Sequence, residues 1–165
     1  MRFALTGPES SGKTTLAKEL AFRNNGAWIP EFAREYLENL SKSYTIDDLD
    51  KIAKGQLDLW EKSTYKSITF FDTEMLVMKI WSEFKYNSCT PFILAALENQ
   101  DFDHYFLCRP DIEWEEDPLR ENPEKREELF ELYLNELTSR KLPFTIVEGD
   151  LENRIENCQL IIANK

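Results

Sequence analysis

The segment from Gly7 to Thr14 constrains the fold of this chain more than any other feature. It reads Gly-Pro-Glu-Ser-Ser-Gly-Lys-Thr and fits the pattern G-x-x-x-x-G-K-[ST] at every required position. A short apolar run at residues 2–6 precedes it and predicts a buried strand. The leucine and alanine spacing after it predicts a helix over residues 13–24. A glycine-rich turn between a strand and a helix is typical of a loop that binds phosphate.

The residue types in this loop indicate how it holds a nucleotide. Glycine lets the backbone curl so that successive N–H groups converge on the β-phosphate, and the helix that starts near Gly12 adds its positive end. Lys13 is expected to bridge the β- and γ-phosphates, and the Thr14 hydroxyl is expected to bind Mg²⁺. We therefore predict a P-loop with ATP and Mg²⁺ as its ligands. The predicted nucleotide-binding residues are Gly7, Glu9, Ser10, Ser11, Gly12, Lys13, Thr14 and Thr15.

Apolar runs and helical patterns alternate along the whole chain. Strands are predicted at residues 2–6, 27–30, 67–71, 104–108 and 143–148, with helices between them and after the last one. Such alternation predicts an α/β protein whose five-stranded parallel sheet is covered by helices on both faces. The length of 165 residues suits a single domain over residues 1–165.

The acidic composition limits the kinds of molecule that we expect this chain to bind. The formal net charge is −11, and a surface of that sign repels nucleic acids. No apolar run approaches the length that crosses a bilayer, and no basic and apolar leader stands ahead of the first strand. We therefore expect a cytoplasmic protein that acts on a small molecule, with neither nucleic acid nor membrane as a partner.

The cysteines and the single histidine point away from metal and nucleophile chemistry. Cys89, Cys108 and Cys158 form no C-x-x-C pair, which favours reduced thiols. His104 lies in a predicted strand, and we expect a structural role for it. General-base work is therefore expected of a carboxylate.

Asp72 directly follows the predicted strand that ends at Phe71. P-loop proteins carry a metal-linked Walker-B carboxylate there, and strand carboxyl ends carry function in open α/β sheets. We expect Asp72 to hold Mg²⁺ together with Thr14, directly or through water. In the alternative interpretation, Asp72 or Thr73 only caps the helix that begins at Met75.

Arg120 and Arg126 flank Pro123, where a charged loop predicted to be exposed meets a long predicted helix. Arginines on a mobile lid can close over a transferring phosphoryl group and offset its developing charge. We predict a short lid over about residues 109–126 with both arginines as catalytic residues. Surface ion pairs, such as Arg126 with Glu127, are an equal alternative.

Several stretches together resemble the ribosylnicotinamide kinase domain of NadR-type proteins. They are GPESSGKTTL at 7–16, PEFAREY at 30–36, FDTE at 71–74, and RPDIEW at 109–114 leading to DPLR at 117–120. The similarity runs nearly end to end. It implies a P-loop fold of the small-molecule kinase type with the strand order 2-3-1-4-5. It also implies ATP-dependent phosphorylation of nicotinamide riboside to nicotinamide mononucleotide.

One feature departs from that resemblance. NadR proteins usually carry an adenylyltransferase domain ahead of this unit, whereas Met1 directly precedes the first predicted strand here. We therefore expect a stand-alone kinase unit that forms no NAD from ATP and nicotinamide mononucleotide.

The implied strand order places the end of the second strand beside the P-loop. Glu31 lies there, and a carboxylate can accept the proton of an attacking hydroxyl. We predict Glu31 as the base and Asp72 on the metal, although the two carboxylates compete for the first role. Arg34 is expected to contact a phosphate or the acceptor, and Trp114 to stack on a pyridinium ring. The alternatives are ion pairs of Arg34 with Glu31 or Glu38 and packing of Trp114 onto the body.

Two other functions stay open at this point. A nucleotide-dependent switch or sensor would hydrolyse ATP slowly and would need neither an acceptor base nor a closing lid. A kinase for another alcohol, such as a deoxynucleoside, would also use a carboxylate at Glu31. The residues alone do not separate the two kinases.

Overall fold

Five strands and seven α-helices alternate along residues 1–165, all of which the computed structural model describes. The strands are β1 (Arg2–Thr6), β2 (Ala27–Ile29), β3 (Thr69–Asp72), β4 (His104–Cys108) and β5 (Phe144–Val147). The helices are α1 (Lys13–Arg23), α2 (Phe32–Glu38), α3 (Ile46–Lys62), α4 (Met75–Tyr86), α5 (Pro91–Asn99), α6 (Arg126–Ser139) and α7 (Leu151–Ala163). None of the helices is long and apolar enough to span a membrane.

All five strands are parallel and form one sheet in the order β2-β3-β1-β4-β5. This confirms the predicted α/β class and the strand order that the family resemblance implies. Because the strands share one direction, their carboxyl ends meet at one edge of the sheet. The P-loop after β1, Asp72 at the end of β3 and Glu31 after β2 therefore lie side by side.

The two faces of the sheet carry separate apolar cores. Side chains alternate along a strand, so Phe3 and Leu5 of β1 pack under α1 and α7, whereas Ala4 packs under the larger layer of α3 to α6. The Phe3 ring is stacked between Phe70 and Phe106, with centroids 5.4 and 5.6 Å apart. These cores fix the strands and leave the carboxyl edge free for polar residues.

Several element boundaries differ from the sequence prediction by one or two residues, and two differences lie close to the P-loop and the lid segment. Asp72 is the last residue of β3 rather than the residue after it. Pro123 opens a short 3₁₀ turn, Pro123–Lys125, and the α-helix begins only at Arg126. A proline ring and a missing N–H suit the first turn of a helix, so this tight turn leads directly into α6.

The junction of α2 with α3 sets the position of Glu31. Gln56 on α3 is buried, and its Oε1 accepts a hydrogen bond from the Phe32 amide at 2.8 Å. Its Nε2 donates to the Pro30 carbonyl at 3.1 Å. Gly55 leaves room for the Phe32 ring, since a Cβ built on Gly55 would lie 2.1 Å from that ring. The chain on both sides of Glu31 is therefore fixed by α3.

This contact predicts an unusual response to Gly55→Ala. Alanine favours a helix over glycine by roughly 0.8–1 kcal/mol. Here the clash with Phe32 should outweigh that gain and lower the free energy of unfolding by about 1–3 kcal/mol, measured by urea denaturation. Combining Gly55→Ala with Phe32→Leu should cost less than the sum of the two single changes. A Gly55→Ala protein as stable as the parent would contradict this packing.

Candidate active site

The P-loop takes a conformation that few side chains allow. Gly7 has a φ of 129°, and a Cβ there would lie 2.7 Å from the Cys108 carbonyl oxygen of β4. Gly12 has a φ of 82° and directly precedes α1. Glycine is therefore required at Gly7 both by backbone angle and by the close approach of β4. This geometry is the one expected of the predicted phosphate loop.

Lys13 lies folded over its own loop. Its Nζ donates to the Gly7 carbonyl at 2.9 Å and to the Pro8 carbonyl at 2.7 Å. The Ser11 hydroxyl also donates to the Pro8 carbonyl, at 2.7 Å. The ammonium thus stands at the loop that is predicted to receive the phosphates.

Asp72 and Thr14 provide the donor set of a candidate Mg²⁺ site. Asp72 is buried, and its Oδ1 has no hydrogen-bond partner in the protein. Burial raises the pKa of Asp72, and the Thr14 hydroxyl and the Lys13 ammonium oppose that rise. No cluster of three metal-binding side chains exists in the chain. A single carboxylate and a hydroxyl fit Mg²⁺, which takes its other oxygen ligands from water and from phosphates.

Glu31 lies at the amino end of α2 but makes no side-chain capping bond there. Desolvation raises the pKa of its carboxyl, and the nearby Asp72 charge raises it further. Lys13, Arg34 and the Thr73 hydroxyl lower it. The structure thus places Asp72, Lys13 and Arg34 close enough to Glu31 for their charges to act on its carboxyl.

The helix cap that the alternative interpretation assigned to Asp72 or Thr73 belongs to Glu74. The buried Glu74 carboxylate accepts from the Leu76 amide at 2.6 Å, from the Thr6 hydroxyl at 2.8 Å and from Gln100 Nε2 at 2.8 Å. It therefore ties the end of β1 to the start of α4. Asp72 is left without a capping role, which keeps its carboxylate available for a metal.

Thr73, between the two carboxylates, is strained. Its φ of 83° is a rare value for a β-branched residue, and its buried hydroxyl has no hydrogen-bond partner. Backbone strain of this kind concentrates at functional sites.

A cavity of about 310 Å³ joins the P-loop to an aromatic wall. Lys13, Thr14, Glu31 and Arg34 line its polar end. The opposite wall comes mainly from α4, the segment before α3, and α6; it includes Tyr44, Val77, Ile80, Trp81, Phe84 and Tyr133. A phosphate loop and a carboxylate thus share one cavity with a surface that suits a planar ring.

The segment predicted as a lid, residues 109–126, contributes to the lining of this cavity, and of the two arginines predicted to be catalytic only Arg120 lies in that lining. Arg120 lines the cavity, and its Nη1 donates to the Glu115 carbonyl at 2.6 Å and approaches the Ser10 hydroxyl at 3.5 Å. Arg126 instead donates to the Ser10 carbonyl at 3.1 Å and to the Ile112 carbonyl at 3.0 Å. Arg126 therefore supports the outside of the P-loop.

Trp114 and Arg34 have partners at the lid. Trp114 does not line the cavity; the Arg126 guanidinium lies over its ring, 5.7 Å from the centroid. Arg34 pairs with Asp117 of the lid at 2.7 Å and with Glu38 at 3.6 Å. The ion pair with Glu38 that the sequence allows is thus present, and Arg34 also links α2 to the lid.

Comparison with known proteins places this geometry in a family. Residues 2–154 match the family model AAA_28, described as an AAA domain. The chain belongs to this AAA domain family. Over 94% of its length it is 30% identical to the trifunctional NAD biosynthesis/regulator protein NadR of Escherichia coli (strain K12). Its identity to the Salmonella typhimurium protein of the same name is 29%. The chain spans 40% of the length of these relatives.

Solved structures related to this AAA domain confirm the fold class. A NadR protein in complex with NR is 25% identical, with a TM-score of 0.79 over 90% of this chain and 46% of that one. A NadR protein in complex with NAD and AMP-PNP is 23% identical, with a TM-score of 0.75 over 90% of this chain and 44% of that one. A deoxyadenosine kinase from M. mycoides is 18% identical with a TM-score of 0.70 and matches over the full length of both chains. The fold of this AAA domain is thus the P-loop fold of small-molecule kinases.

The sequence pattern gives no sign of Arg154, a buried residue of α7 that holds the back of the P-loop. Its guanidinium donates to the Ser11 carbonyl at 2.6 Å, to the Arg109 carbonyl at 2.9 Å and to the Gly149 carbonyl at 2.9 Å, and it pairs with Asp111. No local pattern signals such a residue, because its partners lie on other parts of the AAA domain.

Replacing Arg154 by methionine should lower the free energy of unfolding by roughly 3 kcal/mol, because a buried charge partner and three hydrogen bonds to carbonyl groups are lost. Denaturant melts of the purified variant measure this change. Arg23→Met is the matched control. Arg23 also pairs with an acid of α7, Glu152, but both side chains are largely exposed, so a much smaller loss is expected. Equal effects of the two substitutions would refute the structural role of Arg154.

Proposed function

We propose that this AAA domain phosphorylates the hydroxyl of a nucleoside-like acceptor with ATP, and that its acceptor is nicotinamide riboside. One observation carries the proposal: Lys13 of the phosphate loop and the carboxylate of Glu31 line the same cavity, opposite an aromatic wall. A kinase needs a phosphate cradle, a base and an acceptor pocket within one closed space.

The donor side consists of the P-loop and its neighbours. The amides of residues 9–15 and the Lys13 ammonium bind the β- and γ-phosphates of ATP. Thr14 and Asp72 hold Mg²⁺, and the unpartnered Asp72 Oδ1 supports this assignment. The ion neutralises charge on the phosphates when it is bound.

Glu31 acts on the acceptor. Its carboxylate takes the proton of the attacking hydroxyl while the hydroxyl oxygen forms a bond to the γ-phosphorus. The bond from that phosphorus to the β–γ bridging oxygen breaks, and ADP leaves. The raised pKa of Glu31 makes it a stronger base than an exposed carboxylate.

The lid supplies positive charge to the transferring group. Arg120 lines the cavity and is assigned to the phosphoryl oxygens, where charge grows in the transition state. Arg126 contacts the Ser10 carbonyl of the P-loop. We assign it to stabilise the same developing charge from that position. Arg34, near Glu31, is assigned to the acceptor or to a phosphate.

The cavity wall favours a ring that carries positive charge. Tyr44, Trp81 and Tyr133 line it, and its acids include Glu113 and Glu121. A pyridinium ring gains roughly 0.5–2 kcal/mol over an aromatic face. We assign the stacking to Trp81, because the Lys85 ammonium already lies over the Tyr44 ring and Trp114, the candidate from the sequence, lies against Arg126. The relation to NadR proteins, one of which is solved with NR, supports nicotinamide riboside.

A screen of acceptors tests this function. ADP release is measured with nicotinamide riboside, with common nucleosides and deoxynucleosides, and with no acceptor. We expect nicotinamide riboside to give the fastest release and Lys13→Ala to reduce it by about 10²-fold or more while the protein stays folded. Equal release without acceptor would favour the switch or sensor, and faster release with a deoxynucleoside would favour the other kinase.

Glu31→Gln should lower kcat by roughly 10²–10⁴-fold and keep ATP affinity, because only the base is lost. The base must be deprotonated, so kcat/KM should fall as the pH drops through the raised pKa of Glu31. Arg34→Met removes a charge that lowers this pKa and should move the acidic limb to higher pH. Rates at several pH values measure both effects.

The matched control is Glu35→Gln, which changes an exposed acid of the same helix and should behave as wild type. Asp72→Asn should instead make the activity depend more steeply on the concentration of Mg²⁺. If Glu31→Gln stays fully active while Asp72→Asn loses only the chemical step, the two roles are exchanged.

A further inference from the structure

The backbone amide of Glu121, in the lid, contacts the P-loop. Its amide donates to both carboxylate oxygens of Glu9 in the P-loop, at 3.1 Å each. The following amide, of Asn122, donates to Glu9 at 2.5 Å. Glu9 thus uses its side chain to hold the lid on the phosphate loop.

The side chain of Glu121 contacts the aromatic wall of the cavity rather than the P-loop. Its carboxylate accepts from the Tyr44 hydroxyl at 2.7 Å and pairs with the Lys85 ammonium at 2.8 Å. Tyr44 precedes α3 and Lys85 belongs to α4, so neither residue is part of the P-loop or the lid. One lid residue therefore joins the P-loop to the aromatic wall.

Tyr44 is itself fixed within the aromatic wall. Its hydroxyl accepts from the Trp81 indole N–H at 2.9 Å, and the two rings meet edge to face at 5.2 Å. The Tyr86 hydroxyl donates to its carbonyl at 2.9 Å, and the Lys85 ammonium lies 3.8 Å from its ring centroid. Burial raises the pKa of the Tyr44 hydroxyl, so it remains a donor to Glu121.

Tyr44 and Trp81 also line the cavity, so a ring bound there touches Tyr44, which holds Glu121, and Trp81, which holds Tyr44. We propose that Glu121 is a positioning residue that couples occupation of the acceptor end to closure of the lid on the nucleotide loop. This inference rests on the proposed function. It makes the lid close fully only when both substrates are present, which limits transfer of phosphate to water.

The first test measures the link without any acceptor. Hydrogen–deuterium exchange of the lid amides is compared in the presence of AMP-PNP. Tyr44→Phe and Glu121→Gln should each speed exchange of residues 115–122 by about tenfold, because the lid loses its hold on the wall. Glu124→Gln changes an acid of the same region that makes no hydrogen bond or ion pair, and it should leave exchange unchanged. Unchanged exchange in both test variants would overturn the proposal.

The second test measures the coupling itself. The Kd of AMP-PNP is determined with and without saturating nicotinamide riboside. In the wild type the riboside should tighten AMP-PNP binding by about tenfold, and in Tyr44→Phe and Glu121→Gln this factor should fall close to one. A wild-type factor of one, or an unchanged factor in the variants, would overturn the coupling. If the riboside does not bind the wild type at all, the proposed acceptor is wrong, and lid exchange alone decides the role of Glu121.

Discussion

The parallel pairing of β1 with β3 on one side and β4 on the other is the constraint on which the site depends. Leu5 pairs with Asp72, and Thr6 pairs with Leu107, so the residues after β1 leave the sheet between two fixed neighbours. The Gly7 backbone can then turn only by passing against the carbonyl of Cys108, which excludes a side chain at that position. The same pairing fixes the distance between the phosphate loop and Asp72. The position of a candidate metal ligand thus follows from strand register rather than from loop structure.

The carboxyl edge of the sheet holds three carboxyl groups whose charged form is disfavoured by burial. The pKa values of Glu31, Asp72 and Glu74 are all raised, in each case mainly by desolvation. Glu74 is satisfied by neutral donors, whereas Asp72 keeps an oxygen without a partner. A buried carboxylate in this state is costly unless a cation joins it. The electrostatics of this edge therefore support the proposed binding of a divalent cation at Asp72.

The sequence identified those parts of the fold and the site that depend on local pattern. The P-loop and the strand ends at Asp72 and Glu31 all follow from neighbours in the chain. Arg154 could not be found this way, because its contact with Ser11 spans 143 residues. Trp114 is the reverse case, because the sequence suggests a contact and only the fold decides whether it forms. An aromatic residue beside a predicted site suggests stacking, but only the fold determines that Arg126 covers it and that Trp81 lines the cavity.

The contacts that join residues 109–126 to the body differ in kind from those behind the P-loop. Two of the lid's links to the body, Arg34 with Asp117 and Lys85 with Glu121, are ion pairs that solvent reaches. Exposed pairs contribute about 0–1 kcal/mol each, and salt screens them. By contrast, the guanidinium of Arg154 at the back of the P-loop is buried and bonded to several carbonyls. The nucleotide loop is thus held rigidly from below, while weak polar contacts hold the cover above it.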